Sequence, residues 1–302
     1  MKFRFGLTAV IACAGVGMWL TLSVPGALQA QDPAAPKDGG KGAKGKGFPA
    51  NFGMTPRDSR ATCPKYHFED TNEDLLYCIF VSSKISKNKA APLIVSLHGL
   101  GAGPGVMMTK NAIDLAEAGG YVLVAPMGYS VGGWYGSPLL TGRGGAKGNA
   151  PGRAAPAQPA NLPELSEKDV MNIIAMIRKE YKIDDKRMYL MGHSMGGAGT
   201  LFLGSKHASM WAAIAAEAPA AFSMQNNRAE YLQKLKDAKV PVMIVHGDMD
   251  EAVPVANSRA WADTMKEMKM KYEYVEQPGI SHGPVIESGM APIYGFFAKY
   301  KK

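Results

Sequence analysis

Met191-Gly192-His193-Ser194-Met195-Gly196-Gly197 is the stretch on which the fold turns. It follows a strand-like run, Arg187-Met188-Tyr189-Leu190, and leads into a helix-like run from Ala198 to Leu203. Gly-x-Ser-x-Gly between a strand and a helix encodes a sharp turn that lifts a serine hydroxyl above a sheet. The flanking glycines remove side chains that would strike the neighbouring strand and helix. A serine at a helix N-terminus also lies beside free backbone N–H groups, which suit a developing oxyanion. The motif is short and common in glycine-rich chains. A base, an acid and a second N–H donor must come from elsewhere.

Working outward, the strand before Ser194 is one of a series. Pro92-Leu93-Ile94-Val95-Ser96-Leu97, Tyr121-Val122-Leu123-Val124-Ala125 and Val240-Pro241-Val242-Met243-Ile244-Val245 are continuous apolar runs. That pattern fits parallel strands buried on both faces. Trp211 to Ala216 and Tyr272 to Val275 read as further strands. Helical spacing covers Met107 to Ala118, closed by Gly119-Gly120. It covers Glu164 to Tyr181 with a stripe of Val170, Ile173, Ile174 and Ile177. In that helix Ser166-x-x-Asp169 resembles a capping box. Ala229 to Ala238, Ser258 to Lys269 and Ala291 to Tyr300 complete the helices. Ahead of the parallel series, Tyr66-His67-Phe68 and Leu75 to Val81 flank the turn-rich Asp70-Thr71-Asn72-Glu73-Asp74 and predict an antiparallel hairpin. Strands and helices then alternate without repeat. The expected fold class is α/β, a mainly parallel central sheet with helices on both faces, preceded by that hairpin.

The 302 residues, 46% of them hydrophobic, suit one large domain, expected over 60–302. Residues 1–30 read as a signal peptide or membrane anchor: Lys2 and Arg4 precede an apolar run from Phe5 to Val24, broken by Pro25-Gly26. Residues 31–59 are rich in Pro, Gly, Ala and Lys and read as a flexible leader. The net charge of +8 is uneven, with lysines gathered in that leader and in the last residues. It reads as solvated ends rather than a nucleic-acid surface, and any membrane contact would run through an uncleaved N-terminal segment. Secretion or a periplasmic location follows. Cys63 and Cys78 remain outside the targeting segment, an even pair that a hairpin would bring together. A disulfide and two buried thiols are both open. Two cysteines cannot close a zinc tetrahedron, and no cofactor is required by any feature of the chain.

In open α/β sheets, reactive groups gather at the carboxyl ends of the strands. Four features lie at such ends here: His98-Gly99-Leu100-Gly101, the Ser194 turn, Asp248 with Asp250, and His282. Residues 128–163 form a long Gly/Pro/Ala-rich loop, with Trp134 near its start. Trp134 reads equally as packing or as a substrate wall. His98, His193 and His246 read as loop-holding residues.

Taken together, Pro92 to Gly99, Asp184-Asp185-Lys186-Arg187-Met188-Tyr189, Gly192 to Gly197, His246-Gly247-Asp248-Met249-Asp250-Glu251-Ala252-Val253-Pro254 and Ser281-His282-Gly283 carry a family likeness. From about Lys65 to Tyr300 the chain resembles secreted α/β-hydrolase serine esterases of the feruloyl-esterase, polyhydroxybutyrate-depolymerase and phospholipase/carboxylesterase-like groups, themselves similar to the prolyl-oligopeptidase catalytic domain. The resemblance implies Ser194 as nucleophile, His282 as base and Asp250 as the acid, with Asp248 its rival. It implies oxyanion donors at the N–H groups of Leu100 and Met195, and a small-molecule or polymer-linked ester as substrate. Two rivals stand beside it. One is a serine peptidase of prolyl-oligopeptidase type, which the absence of a propeller-like region before residue 60 disfavours. The other is a non-catalytic binding protein on a hydrolase scaffold, which would need none of these three residues.

Overall fold

A computed structural model describes residues 49, 51–86, 88–139 and 159–302. The expected targeting segment, most of the leader and the middle of the 128–163 loop lie outside the described residues.

Eight strands form one sheet in the order β1-β2-β4-β3-β5-β6-β7-β8. The expected hairpin is β1 (Lys65–Phe68) and β2 (Glu73–Val81), and β2 also runs antiparallel to β4. The remaining strands, β3 (Ala91–Leu97), β4 (Val122–Pro126), β5 (Ile183–His193), β6 (Ala213–Glu217), β7 (Val242–Gly247) and β8 (Tyr272–Gln277), are parallel. The helices are α1 (Lys110–Gly119), α2 (Leu162–Glu180), α3 (Met195–Lys206), α4 (Arg228–Asp237), α5 (Val255–Glu267), α6 (Val285–Ser288) and α7 (Met290–Phe297). Cys63 and Cys78 form a disulfide that ties the start of the hairpin to β2. No helix among the described residues is long and apolar enough to cross a membrane.

Alternation along the strands builds two cores. Leu93, Val95, Leu97, Leu190, Ile214 and Ile244 face one way, with Ile173, Ile177, Leu201 and Trp261 from α2, α3 and α5. Ile94, Leu123, Met191, Ala215 and Val245 face the other, with Ile113 and Ala116 of α1 and Phe296 and Phe297 of α7. This burial on both faces explains why the strands read as unbroken apolar runs.

The path from β3 through β4 to β5 reverses direction across the sheet, so β3 and β5 are neighbours, with Leu97 opposite Gly192. A crevice outside the carboxyl ends of two such strands is where open α/β sheets bind ligands. The His98 loop and the Ser194 turn therefore emerge side by side.

Two local expectations differ from the structure. Packing begins before Arg60. The Gly103 N–H donates to the Phe52 carbonyl at 2.8 Å and the Gly105 N–H to Gly53 at 2.7 Å. A Cβ on Gly105 would lie 2.0 Å from the Thr55 carbonyl oxygen. This contact is backbone against backbone, so it leaves no apolar period in the sequence. Secondly, Ser166 and Asp169 do not cap α2, which starts at Leu162 after Pro159 to Asn161. Both are buried on its inner face. The Ser166 hydroxyl accepts the Tyr135 N–H at 2.9 Å and donates to the Gly128 carbonyl at 2.7 Å. The Asp169 carboxylate accepts the Tyr129 N–H at 3.0 Å and the Tyr66 hydroxyl. Burial raises the Asp169 pKa against these hydrogen bonds. The two side chains fasten the start of the 128–163 loop to the helix.

Candidate active site

Ser194 stands between β5 and α3 at φ 57°, ψ −114°. A non-glycine residue there costs about 1–3 kcal/mol and persists only where its surroundings enforce it. They do so through close backbone packing. A Cβ on Gly192 would lie 2.4 Å from the Gly196 carbonyl oxygen, and one on Gly196 would lie 2.1 Å from that of Leu97. The Ser194 N–H donates to the Glu217 carbonyl at 2.9 Å, and its own carbonyl accepts from Ala198 and Ala220.

A hydrogen-bond chain starts at the Ser194 hydroxyl. Its Oγ lies 2.9 Å from His282 Nε2, and His282 Nδ1 lies 2.7 Å from Asp250 Oδ2. A carboxylate only accepts, so Nδ1 carries the His282 proton and Nε2 faces the serine O–H. The three residues come from the ends of β5, β7 and β8. The Asp250 side chain is 0% exposed and that of His282 18%, so the chain runs from the interior towards solvent. Burial alone would raise the Asp250 pKa. The N–H of Val253 at 2.7 Å, the His282 contact and the N–H of Ala252 at 2.8 Å outweigh it and hold the carboxyl below its ordinary value.

The rival carboxylate is turned away. Asp248 is exposed, and its Oδ1 accepts the Gly279 N–H at 2.7 Å, bracing the turn after β8. Of the two carboxylates, Asp250 alone bonds His282.

Gly99 packs directly over the turn: a Cβ there would be 3.2 Å from His193 Nδ1 and 3.4 Å from Ser194 Cβ. Leu100 follows, half-exposed, and its N–H has no acceptor among the described residues. The Gly101 N–H donates to Val131 at 2.8 Å, tying this loop to the next. Met195 is the first residue of α3, where an N–H has no partner within the helix.

Tyr135 was not singled out by sequence. It is fully buried at φ 54°. Its hydroxyl accepts the His98 N–H at 2.9 Å and donates to the His98 carbonyl at 3.2 Å. Its ring fills the space above Gly128 and Gly199, where a Cβ would lie 2.5 Å and 2.7 Å from ring carbons. Only the pairing of those glycines with an aromatic could have signalled it, and they lie far apart in sequence. Trp134, for which the sequence leaves packing and a substrate wall equally open, is half-buried against the larger core, and its carbonyl accepts the Ser137 N–H at 2.9 Å.

The three loop histidines are all buried and bonded. His98 Nε2 lies 2.8 Å from the Met127 carbonyl oxygen, and burial lowers the pKa of its ring. His193 Nε2 lies 2.9 Å from the His282 carbonyl oxygen. Burial, with His282 beside it, takes the His193 pKa down to about 3. His246 Nε2 lies 3.0 Å from Asp250 Oδ2.

Comparison with known proteins follows the same lines. A family model described as PET hydrolase-like matches residues 165–299. A bifunctional acetylxylan esterase/xylanase from Neocallimastix patriciarum is 28% identical over 177 residues, covering 58% of this chain and 21% of that protein. Cutinase 1 of Thermobifida cellulosilytica is 31% identical over 101 residues, covering 33% of this chain and 35% of the cutinase. The matches thus span about a fifth and a third of these relatives' lengths. A ferulic acid esterase from Anaeromyces mucronatus, solved with ferulic acid, superposes with a TM-score of 0.56 at 16% identity, over 80% of this chain and 90% of that one. The chain has the α/β-hydrolase fold, and its sequence resembles the esterases and cutinases of that fold.

Proposed function

We propose that the protein is an exported serine hydrolase that cleaves carboxylic esters through an acyl-enzyme. Ser194 attacks the ester carbonyl while His282 Nε2 takes its proton. Asp250 holds the imidazole in the required tautomer and stabilises the imidazolium. The N–H groups of Leu100 and Met195 receive the oxyanion, each such donor being worth about 3 kcal/mol of transition-state stabilisation. His282 then protonates the leaving alcohol, and water repeats the sequence to release the acid.

The observation that carries this reading is the unbroken chain from Ser194 Oγ through His282 to Asp250, at 2.9 Å and 2.7 Å, beside the Gly99 loop whose Leu100 N–H has no acceptor among the described residues. The esterase and cutinase relatives support an ester as substrate. The apolar run within 1–30 and the Cys63–Cys78 disulfide support an oxidising, exported setting.

The test combines labelling with turnover. A fluorophosphonate should label the folded protein, and labelling should vanish in Ser194→Ala. A panel of short acyl, hydroxycinnamoyl and polyester-oligomer substrates beside aminoacyl-Pro amides should show ester turnover only. Amide turnover matching ester turnover would move the reading to a peptidase. An unlabelled folded protein would move it to a binding role.

A further inference from the structure

The hydrogen-bond chain does not stop at Asp250. His246, the last residue but one of β7, is 0% exposed. Its Nε2 lies 3.0 Å from Asp250 Oδ2 and 3.0 Å from the Val253 carbonyl oxygen. Its Nδ1 lies 2.6 Å from Ser258 Oγ, on the inner face of α5. These partners fix the tautomer. The Val253 carbonyl can only accept, so Nε2 carries the proton. Nδ1 of the neutral ring is then an acceptor for the Ser258 hydroxyl. Burial disfavours a second proton on this ring.

Asp250 Oδ2 therefore receives N–H groups from two imidazoles, while Oδ1 receives those of Ala252 and Val253. The result is Ser194, His282, Asp250, His246 and Ser258 in one line, with a serine and a histidine on each side of a single carboxylate. Only the Ser194 arm opens towards solvent; Ser258 is fully buried. The charged and titratable neighbours of His246 are Asp250, His282, His193 and Glu276 of β8. Of these, Asp250 alone is hydrogen-bonded to it.

We propose that His246 is a positioning residue of the reaction, its ring anchored at Nδ1 by Ser258, so that Asp250 is aimed at His282 and its charge is shared between two imidazoles. This rests on the Ser194–His282–Asp250 reading above. It differs from a merely structural role in one consequence. A carboxylate oxygen that loses its second N–H donor presents more charge to the His282 imidazolium. The acid limb of the pH–rate profile then lies at higher pH.

The experiment measures kcat and KM for an activated ester across pH in His246→Phe, His246→Gln and Ser258→Ala, beside Ser194→Ala. In His246→Phe, kcat should fall about 10- to 100-fold with KM nearly unchanged, as for other groups that orient a reacting residue through a second hydrogen bond. The acid limb of its kcat/KM profile should move up by about half a pH unit, the size set by one net hydrogen bond. His246→Gln keeps an N–H in reach of Asp250 and should recover most of kcat and the original limb. Ser258→Ala loosens the ring at Nδ1 and should give a smaller change in the same direction, and it carries the test if His246→Phe does not fold. Acid limbs that stay at the wild-type pH in His246→Phe and Ser258→Ala, with Ser194→Ala inactive, would overturn the inference alone. Activity retained in Ser194→Ala would instead overturn the site reading on which it rests.

Discussion

Tyr135→Phe isolates one hydroxyl from the packing around it. The phenyl ring still fills the space over Gly128 and Gly199, where any added Cβ would collide with it. What is lost is a pair of hydrogen bonds to one residue, His98, at 2.9 Å to its N–H and 3.2 Å to its carbonyl. Both groups are buried. Leaving a buried polar group unsatisfied costs about 1–3 kcal/mol. The weaker of the two bonds contributes at the lower end, so the sum is about 2–4 kcal/mol. For a domain of this size that lowers Tm by about 5–10 °C. The kinetic consequence follows from position. His98 is joined through Gly99 to Leu100, the N–H proposed to receive the oxyanion. Loosening that loop should lower kcat about 10- to 100-fold with little change in KM, because the interaction is made in the transition state. Calorimetry and steady-state ester hydrolysis on the same preparation check both numbers. A fall in Tm with kcat unaltered would refute the argument that Tyr135 sets the oxyanion loop, and leave it a fold residue only. Unchanged Tm and kcat together would refute the hydrogen bonds themselves.

Three further outcomes are expected. Asp250→Asn should lower kcat by about 10³–10⁴-fold, whereas Asp248→Asn should leave kcat nearly unchanged and soften the turn at Gly279; steady-state kinetics on the two variants compares them directly. Glu217 is fully buried, and its carboxyl oxygens have no hydrogen-bond partner among the described residues. Burial, with Glu287 nearby, raises its pKa well above 4.5, so the folded state keeps a proton that the unfolded chain releases. The stability linked to that proton is present below pH 4.5 and declines as pH rises towards the folded value. Glu217→Gln removes the linkage, so its Tm should gain on wild type as pH rises above about 5; a pH-independent difference would contradict it. Finally, reducing Cys63–Cys78, 15 residues apart in sequence, should cost about 3 kcal/mol, read as a fall in Tm on adding dithiothreitol.

Much of this site was legible because strand ends announce themselves. The runs before His98, Ser194 and Asp248 each stop at a short phrase of Gly, His, Asp or Ser, and the sheet's topology carries those ends to one edge. Ser194, His282 and the His98 loop are all found that way. Asp250 was harder, since Asp248 sits in the same phrase; a turn at Gly279, 31 residues along, takes the other carboxylate away. The fastening of the 128–137 segment was not legible at all. Tyr135, Ser166 and Asp169 act through hydrogen bonds to residues 31 to 103 positions distant, and such contacts have no period. Ser166 and Asp169 mimic a capping box because a cap and a buried anchor use the same short polar side chains. The segment at 51–59 escaped for a related reason: it packs through glycine backbones, and pattern reading registers only side chains.

The Ser194 hydroxyl and its imidazole partner stand 88 residues apart, on strands separated in the sheet by β6 and β7. During synthesis the serine turn leaves the ribosome well before β7 and β8 exist. For that interval the elbow can form with neither its base nor its acid. On the proposed reading, every nascent or truncated chain ending before His282 is chemically silent. On the same reading, reactivity appears only once the far edge of the sheet has docked.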